Sequence, residues 1–290
     1  MQIIEQLEDI SDGYDAVLCD LWGCVHDGVA AFPDAMAALQ GFRAAGGKVV
    51  MLTNAPRPRA SVATQLDGLG VPRGAWDLIV TSGDSARAAM FRGIVGKKVW
   101  FMGEPRRDAG FFERDGLAEN APEIEQVSLE DAEGIVCCGP FDPLADVDEL
   151  RPQLLIAREL GLKLLCANPD IVVDRGHQRE WCAGAVAKLY EELGGESLYF
   201  GKPHPPIYDL ARRELHRLDP EITDGGILAI GDGILTDIRG ALGEDLDAIF
   251  ITGGLAAKET NTKRYPDPDA LHAFLAAHQM SPRYAMGFLR

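Results

Sequence analysis

The chain has 290 residues, nearly twice the length of an average domain, so we expect one large domain or a core that carries a second domain. Acidic side chains outnumber basic ones by 45 to 28, and the net charge of −17 disfavours binding to nucleic acids or anionic lipid surfaces. Hydrophobic residues make up 47% of the chain and charged residues 25%, which excludes a disordered or fibrous protein.

The N-terminal segment is acidic and lacks the basic flank and the apolar stretch of a secretory signal. No run of about eighteen apolar residues occurs, so the sequence predicts no membrane span. We therefore expect a cytoplasmic protein with no nucleic-acid and no membrane partner, and the sequence leaves a homodimer open. The cysteines form no C-x-x-C pair and lie mostly in apolar runs, which predicts reduced thiols in the core. They are Cys19, Cys24, Cys137, Cys138, Cys166 and Cys182.

Short apolar runs rich in β-branched residues alternate with longer helical patterns throughout the chain. This alternation is typical of parallel strands joined by helices, so we expect an α/β fold with a doubly wound, Rossmann-like parallel sheet. The clearest strands are 16–20, 48–53, 77–81, 226–231 and 247–252. We expect them in the spatial order third, second, first, fourth, fifth, which places the ends of the first and fourth strands side by side.

Helices are predicted in the gaps between the strands, at 33–45, 205–218 and 268–278. Each of these segments begins with a proline, which is common at the first position of a helix. Between the first strand and the first helix, Asp27 and Gly28 stand among apolar residues. This pair is typical of a tight hairpin, so we expect a small flap after the first strand.

More than a hundred residues separate the third and fourth strands, and they contain apolar runs of their own. A connection of that length needs its own small core. We therefore expect a core made of residues 1–88 and 197–290, with an inserted α/β cap domain over residues 89–196. Such a cap would close over the edge of the sheet and exclude water.

Polar residues follow the strands at the edge where open α/β sheets bind ligands. They are Asp20 after the first strand, Thr53 and Asn54 at the second, Lys202 before the helix at 205–218, and Asp232 and Asp237 after the fourth. Together these residues offer carboxylates, a hydroxyl, an amide and an ammonium group. Groups of this kind can hold Mg²⁺ and a phosphoryl group, because hard cations prefer oxygen ligands.

These residues belong to four motifs that resemble those of the haloacid dehalogenase superfamily, in the order expected for it. The motifs are D-L-W-G at 20–23, L-T-N at 52–54, G-K-P at 201–203 and G-D-G-x-x-x-D at 231–237. The long insertion and the segment N-P-D at 168–170 resemble the class IIA branch, which includes 4-nitrophenyl phosphate, pyridoxal phosphate and bacterial nucleotide phosphatases. The resemblance spans nearly the whole chain and implies a C2-type cap.

The resemblance implies a Mg²⁺-dependent phosphatase that acts on a small phosphorylated metabolite, such as a sugar phosphate or a nucleotide. Asp20 would be the nucleophile and would form an aspartyl-phosphate intermediate. Mg²⁺ would be held by Asp20, by the backbone carbonyl of Trp22, by Asp232, and by Asp237 directly or through water.

The resemblance also assigns the groups that would bind the substrate. Thr53 and Asn54 would hydrogen-bond the oxygens of the transferring phosphoryl group. Lys202 would offset the charge on these oxygens and restrain the nucleophile, and so would have both a phosphate-binding and a catalytic role. In the cap, Asn168 and Asp170 would be loop residues that face the active cleft.

Trp22 departs from the superfamily pattern, because the phosphatases usually carry an acid/base aspartate at this position. An indole N–H cannot protonate a leaving group and then activate water, a function that contributes about a hundredfold to ten-thousandfold in rate. His26, His177 or His204 could supply the proton instead. The substrate could also have a leaving group acidic enough to need no proton donor.

Two alternatives to a phosphatase stay open. Members of the superfamily that cleave carbon–halogen or carbon–phosphorus bonds also lack this acid, so the chain could hydrolyse such a bond with the same nucleophile. The chain could also be a phospholigand-binding or regulatory protein with little turnover, since Trp22 replaces the acid/base residue. The intact Asp20, Lys202, Asp232 and Asp237 argue against a complete loss of chemistry.

Overall fold

The computed structural model describes residues 1–114, 121–175 and 178–290. The strands are β1 Gln2–Ile3, β2 Ala16–Cys19, β3 Lys48–Thr53, β4 Leu78–Thr81, β5 Lys98–Met102, β6 Glu125–Gln126, β7 Gly134–Cys137, β8 Lys163–Cys166, β9 Val172–Arg175, β10 Gln178–Trp181, β11 Glu196–Tyr199, β12 Ile227–Gly231, β13 Asp247–Ile251 and β14 Tyr284–Met286. The α-helices are α1 Pro33–Ala44, α2 Arg59–Gly68, α3 Ser82–Met90, α4 Arg151–Glu159, α5 Ala183–Glu192, α6 Pro205–Leu218, α7 Arg239–Gly243 and α8 Pro268–His278. A π-helical turn, Ile234–Ile238, precedes α7.

The larger sheet has seven strands in the order β1-β14-β13-β12-β2-β3-β4. The five strands predicted from the sequence lie in the predicted spatial order, so the prediction of a doubly wound sheet is confirmed. In the middle of the sheet β2 and β12 pair in parallel and are buried at every residue, as expected for a parallel sheet covered on both faces. The edge strand β1 and its neighbour β14 were not predicted, because two and three residues are too few to show a strand period.

The helices that follow the strands begin where the prolines predict. α1, α6 and α8 start at Pro33, Pro205 and Pro268. Asp267 also caps α8 by accepting a hydrogen bond from the backbone N–H of Ala270. Among the residues that the structure describes, no helix combines the length and the apolar character that crossing a bilayer requires.

The chain forms two compact units. The first consists of Met1–Thr53, Val62–Val80 and Tyr208–Arg290, and the second of Asn54–Ser61 and Thr81–Ile207. The second unit has its own five-stranded sheet in the order β11-β8-β7-β5-β6, and it includes α3 and β11. The domain boundaries after residues 88 and 196, which the sequence suggested, stay a prediction.

The sheet of the second unit is covered on both faces. On one face Leu164 and Cys166 of β8 pack with Val186 of α5, and on the other face Leu165 packs with Met90 of α3. This alternation arises because successive side chains of a strand point to opposite faces. The six cysteines are buried and form no disulfide, as predicted. An antiparallel pair, β9 and β10, was not predicted from the sequence.

Candidate active site

Asp20 and Asp232 directly follow β2 and β12, two strands that are neighbours in the larger sheet. A ligand oxygen of each carboxylate and the Sγ atom of Cys24 all lie within 4.8 Å of one another. All three residues are buried. Thr53 ends β3, which pairs with β2 on its other side. The structure therefore brings the two predicted carboxylates to one edge of one sheet.

The carboxylate of Asp232 is held between two glycines. Its Oδ2 atom accepts a hydrogen bond of 2.9 Å from the backbone N–H of Leu255. A Cβ atom on Gly23 would lie 2.2 Å from this oxygen, and one on Gly254 would lie 2.0 Å from it. Because Gly23 also has a φ of +76°, both steric room and backbone conformation require glycine there. Gly254 was not predicted as a site residue, although the pair Gly253-Gly254 directly follows the strand predicted at 247–252.

The variant Gly254→Ala should weaken binding at the predicted Mg²⁺ site, because its methyl group would displace the Asp232 carboxylate. Disturbing the groups that orient a metal ligand typically costs about 10- to 100-fold in metal affinity. Calorimetric titration with Mg²⁺ checks this value, and Gly243→Ala is the control because a Cβ there meets nothing within 4 Å. Equal Mg²⁺ affinity in both variants would contradict the expectation.

Asp237 lies in the π-helical turn after β12, and its Oδ2 atom accepts a hydrogen bond of 3.0 Å from the backbone N–H of Gly233. A Cβ atom on Gly231 would lie 2.2 Å from Cβ of Asp237, so the side chain packs directly over the end of the strand. Asp237 thus braces the loop that carries Asp232. Its predicted role as a direct or water-mediated metal ligand stays a prediction.

Cys24 is the third member of the cluster, and sequence reasoning had assigned it only to the core. Burial raises the pKa of its thiol well above the ordinary value, and the charges of Asp232 and Asp20 add to this effect. A thiol is also a soft ligand, which leaves the carboxylate oxygens of Asp20 and Asp232 as the hard ligands of the cluster. Paired carboxylates fit a hard cation such as Mg²⁺, so the residues present suit the predicted metal.

Trp22 packs under the flap that follows β2. Its ring meets the ring of His26 edge to face, with centroids 5.3 Å apart. A Cβ atom on Gly28, whose φ is +85°, would lie 2.3 Å from Cη2 of the indole. Trp22 thus fills the space where a smaller side chain would leave a gap, in line with a packing role.

The small flap predicted after the first strand is present, and its turn is wider than that of a tight hairpin. Its antiparallel bridge joins His26 to Ala31, which leaves four residues in the loop. Asp27 accounts for the difference, because its Oδ1 atom accepts hydrogen bonds from the backbone N–H groups of Val29 and Ala30. An aspartate that bonds the next backbone groups in this way forms its own turn.

The histidines considered as proton donors differ in their surroundings. His26 is buried, its Nδ1 atom accepts a hydrogen bond of 3.1 Å from the backbone N–H of Gly28, and burial lowers its pKa to about 4. It is therefore a neutral imidazole near pH 7. His204, in the second unit, stacks on Tyr199 with ring centroids 4.5 Å apart. His177 lies outside the described residues.

His26 should make the protein less stable in mild acid. Its pKa is about 6.5 in the unfolded chain and about 4 in the folded one, so between these values only the unfolded chain binds the proton. The free energy of unfolding should therefore fall by up to about 3 kcal/mol as the pH falls through this window. Urea unfolding from pH 7 to pH 4 in EDTA measures this loss. His26→Asn should reduce it, and an identical loss in the variant would refute the assignment.

Four of the predicted residues lie together in the second unit: Asn54, Asn168, Asp170 and Lys202. The side chain of Asn54 accepts a hydrogen bond of 2.7 Å from the backbone N–H of Lys202 and donates one of 3.0 Å to its carbonyl oxygen. It also donates one of 2.9 Å to Oδ1 of Asp170. Asn168 in turn accepts a hydrogen bond of 3.0 Å from the backbone N–H of Asp170. The second motif, the third motif and the N-P-D segment are thus directly connected.

A Rossmann-like sheet with two neighbouring strands that each lead into a buried carboxylate is typical of open α/β proteins that bind a ligand at the carboxyl ends of their strands. Family models described as haloacid dehalogenase-like hydrolase and HAD-hydrolase-like match residues 17–116 and 199–277. The chain is 37% identical to a hydrolase of the haloacid dehalogenase-like family from Brucella suis 1330. The match covers 99% of this chain and 100% of that one, with a TM-score of 0.84. The chain therefore belongs to the haloacid dehalogenase-like family, as its four motifs predicted.

Two further proteins are similar to the chain over most of its length. One is the acid sugar phosphatase of Staphylococcus saprophyticus, 25% identical over 259 residues that cover 88% of this chain and 93% of the relative. The other is the crystal structure of a glycerol phosphate phosphatase from Mycobacterium tuberculosis in complex with magnesium. It is 23% identical with a TM-score of 0.65, and the match covers 89% of this chain and 74% of that one. At that identity it supports the fold alone.

Proposed function

We propose that the protein is a Mg²⁺-dependent phosphatase that hydrolyses a small phosphorylated metabolite through an aspartyl-phosphate intermediate. The observation that carries the proposal is the pair of buried carboxylates, Asp20 and Asp232, whose ligand oxygens lie within 4.8 Å of each other. Family membership supports a hydrolase. The name of the acid sugar phosphatase similar to the chain favours a sugar phosphate or another small phosphate ester as the substrate.

In the proposed reaction, a carboxylate oxygen of Asp20 attacks phosphorus in line with the ester oxygen. The bond between phosphorus and that oxygen breaks, and the leaving group departs with the electron pair. A water molecule then attacks phosphorus of the acyl phosphate, which releases inorganic phosphate and restores the carboxylate. Mg²⁺ held by Asp20, Asp232, the carbonyl oxygen of Trp22 and Asp237 would neutralise charge on the phosphoryl oxygens.

The proposed phosphate-binding groups come from the second and third motifs. The hydroxyl of Thr53 would donate a hydrogen bond to a phosphoryl oxygen, and the ammonium group of Lys202 would offset the charge that builds up on these oxygens. Lys202 is 2% exposed, which suits a charge that acts on a bound anion rather than on solvent. Asn168 and Asp170 are proposed to contribute to substrate selection.

Neither Trp22 nor His26 is suited to protonate the leaving group. Trp22 has no acidic proton, and His26 is neutral and already accepts a hydrogen bond from the flap. We therefore expect faster turnover of esters whose leaving group is acidic, such as 4-nitrophenyl phosphate, than of alkyl phosphates.

A phosphate-release screen tests the proposed function. The substrates are sugar phosphates, nucleotides, pyridoxal phosphate and 4-nitrophenyl phosphate, each with Mg²⁺ and again with EDTA. We expect release from at least one ester, loss of release in EDTA and its return with added Mg²⁺. If wild type and Trp22→Asp release phosphate from no ester, or if EDTA has no effect, the proposal is wrong.

A further inference from the structure

The side chain of Asn54 has a fixed orientation in the structure. The backbone N–H of Lys202 can only donate, so it must face the side-chain oxygen, 2.7 Å away. The carbonyl oxygen of Lys202 can only accept, so it must face the side-chain nitrogen, 3.0 Å away. The amide therefore holds both backbone groups of Lys202 at once.

The hydrogen-bonding capacity of this amide is already taken up. Its nitrogen carries two hydrogens, and two acceptors lie within hydrogen-bond distance: the carbonyl oxygen of Lys202 at 3.0 Å and Oδ1 of Asp170 at 2.9 Å. Its oxygen can only accept and would repel an anion. Asn54 is 5% exposed, so water cannot readily replace a lost partner. The side chain could bind a phosphoryl oxygen only by releasing Lys202 or Asp170.

The residues around Asn54 leave room for its side chain to approach the backbone of Lys202 closely. A Cβ atom on Gly201 would lie 2.4 Å from Oδ1 of Asn54 and 2.5 Å from Cδ of Pro169, so the glycine of the third motif allows the close approach. Asp170, the second partner, is held in place by Asn168. One buried amide thus holds the backbone of Lys202, the proposed catalytic residue, and the side chain of Asp170 in the proposed substrate loop.

We propose that Asn54 is a positioning residue whose side chain orients Lys202 and ties it to Asp170, and that this side chain does not bind the phosphoryl group. The proposal rests on the proposed function and refines the expectation that Asn54 is a phosphate ligand. It also couples the residue that offsets phosphoryl charge to the loop proposed to select the substrate.

Exchanging the amide at position 54 and the carboxylate at position 170 tests the proposal. Asn54→Asp keeps an acceptor for the backbone N–H of Lys202, but it loses the donor to the carbonyl oxygen of Lys202 and sets two carboxylates against each other, so kcat for 4-nitrophenyl phosphate should fall at least 100-fold. Adding Asp170→Asn restores a donor and an acceptor between positions 54 and 170 but not the bond to the carbonyl oxygen, so kcat should recover in part, at least tenfold, with an unchanged KM. Asn261→Asp, which adds the same charge at an exposed position, is the control.

A direct phosphate ligand at position 54 predicts the opposite result. The new carboxylate would repel the phosphoryl group whatever stands at position 170, so KM would rise in both variants and the second substitution would rescue nothing. That result would overturn the proposal.

The melting temperature separates the failure of this inference from the failure of the proposed function. The Tm of the Asn54→Asp/Asp170→Asn protein should exceed that of Asn54→Asp, and no rescue of Tm would overturn the inference. If wild type releases no phosphate from any ester, the proposed function fails, and the Tm comparison then decides the inference alone.

Discussion

The variant Asp20→Asn should lose phosphate release by about 10⁴-fold or more. The amide cannot attack phosphorus, and removal of a nucleophile is among the most damaging changes to an enzyme that uses covalent catalysis. The measurement is the rate of phosphate release from the best substrate of the screen, with Asp12→Asn, an exposed carboxylate, as the matched control.

Chemical trapping makes this prediction specific to the nucleophile. Borohydride reduces an acyl phosphate to an alcohol, so wild type quenched during turnover should carry homoserine at position 20. Asp20→Asn should carry none. Turnover that persists in Asp20→Asn, or a reduced residue elsewhere in the chain, would remove Asp20 from its assigned role.

The variant Trp22→Asp should increase turnover of alkyl phosphates by about a hundredfold to ten-thousandfold. The new carboxyl group would stand where the family's phosphatases carry the group that protonates the leaving oxygen. The gain should be much smaller for 4-nitrophenyl phosphate, because its leaving group needs little protonation. Rates on sugar phosphates and on 4-nitrophenyl phosphate, measured side by side, give this comparison.

The variant Trp22→Asn is the control for the removal of bulk. It opens the same space under the flap, where the indole now packs on Gly28 and His26, but it has no proton to give. An equal increase in the turnover of alkyl phosphates in Trp22→Asn and Trp22→Asp would show that Trp22 limits access to the site. It would contradict the claim that the site lacks a proton donor.

The larger sheet could be predicted because its central strands carry a strong local signal. β2, β3 and β12 are continuous apolar runs that lead into polar motif residues, so both their positions and the convergence of Asp20 and Asp232 followed from the pattern. The short strands β1 and β14 have no such pattern, since they are formed by pairing with each other across almost the whole length of the chain.

The finer features of the site depend on contacts between segments that are far apart in the sequence. The family resemblance assigned Asn54 as a phosphate ligand, and only the hydrogen bonds across more than a hundred residues show that its amide is occupied. Cys24 was assigned to the core from its apolar neighbours, and it is indeed buried. Its position beside Asp20 was not predicted. Residue type alone does not reveal such partners.

Calorimetric titration with Mg²⁺ tests most directly whether Asp20 and Asp232 share a cation. We predict one Mg²⁺ per chain in wild type and in Asp12→Asn, and an affinity at least about 100-fold lower in both Asp20→Asn and Asp232→Asn, because each loses a charged ligand. An equal Mg²⁺ affinity in all four proteins would contradict the shared site and, with it, the proposed reaction.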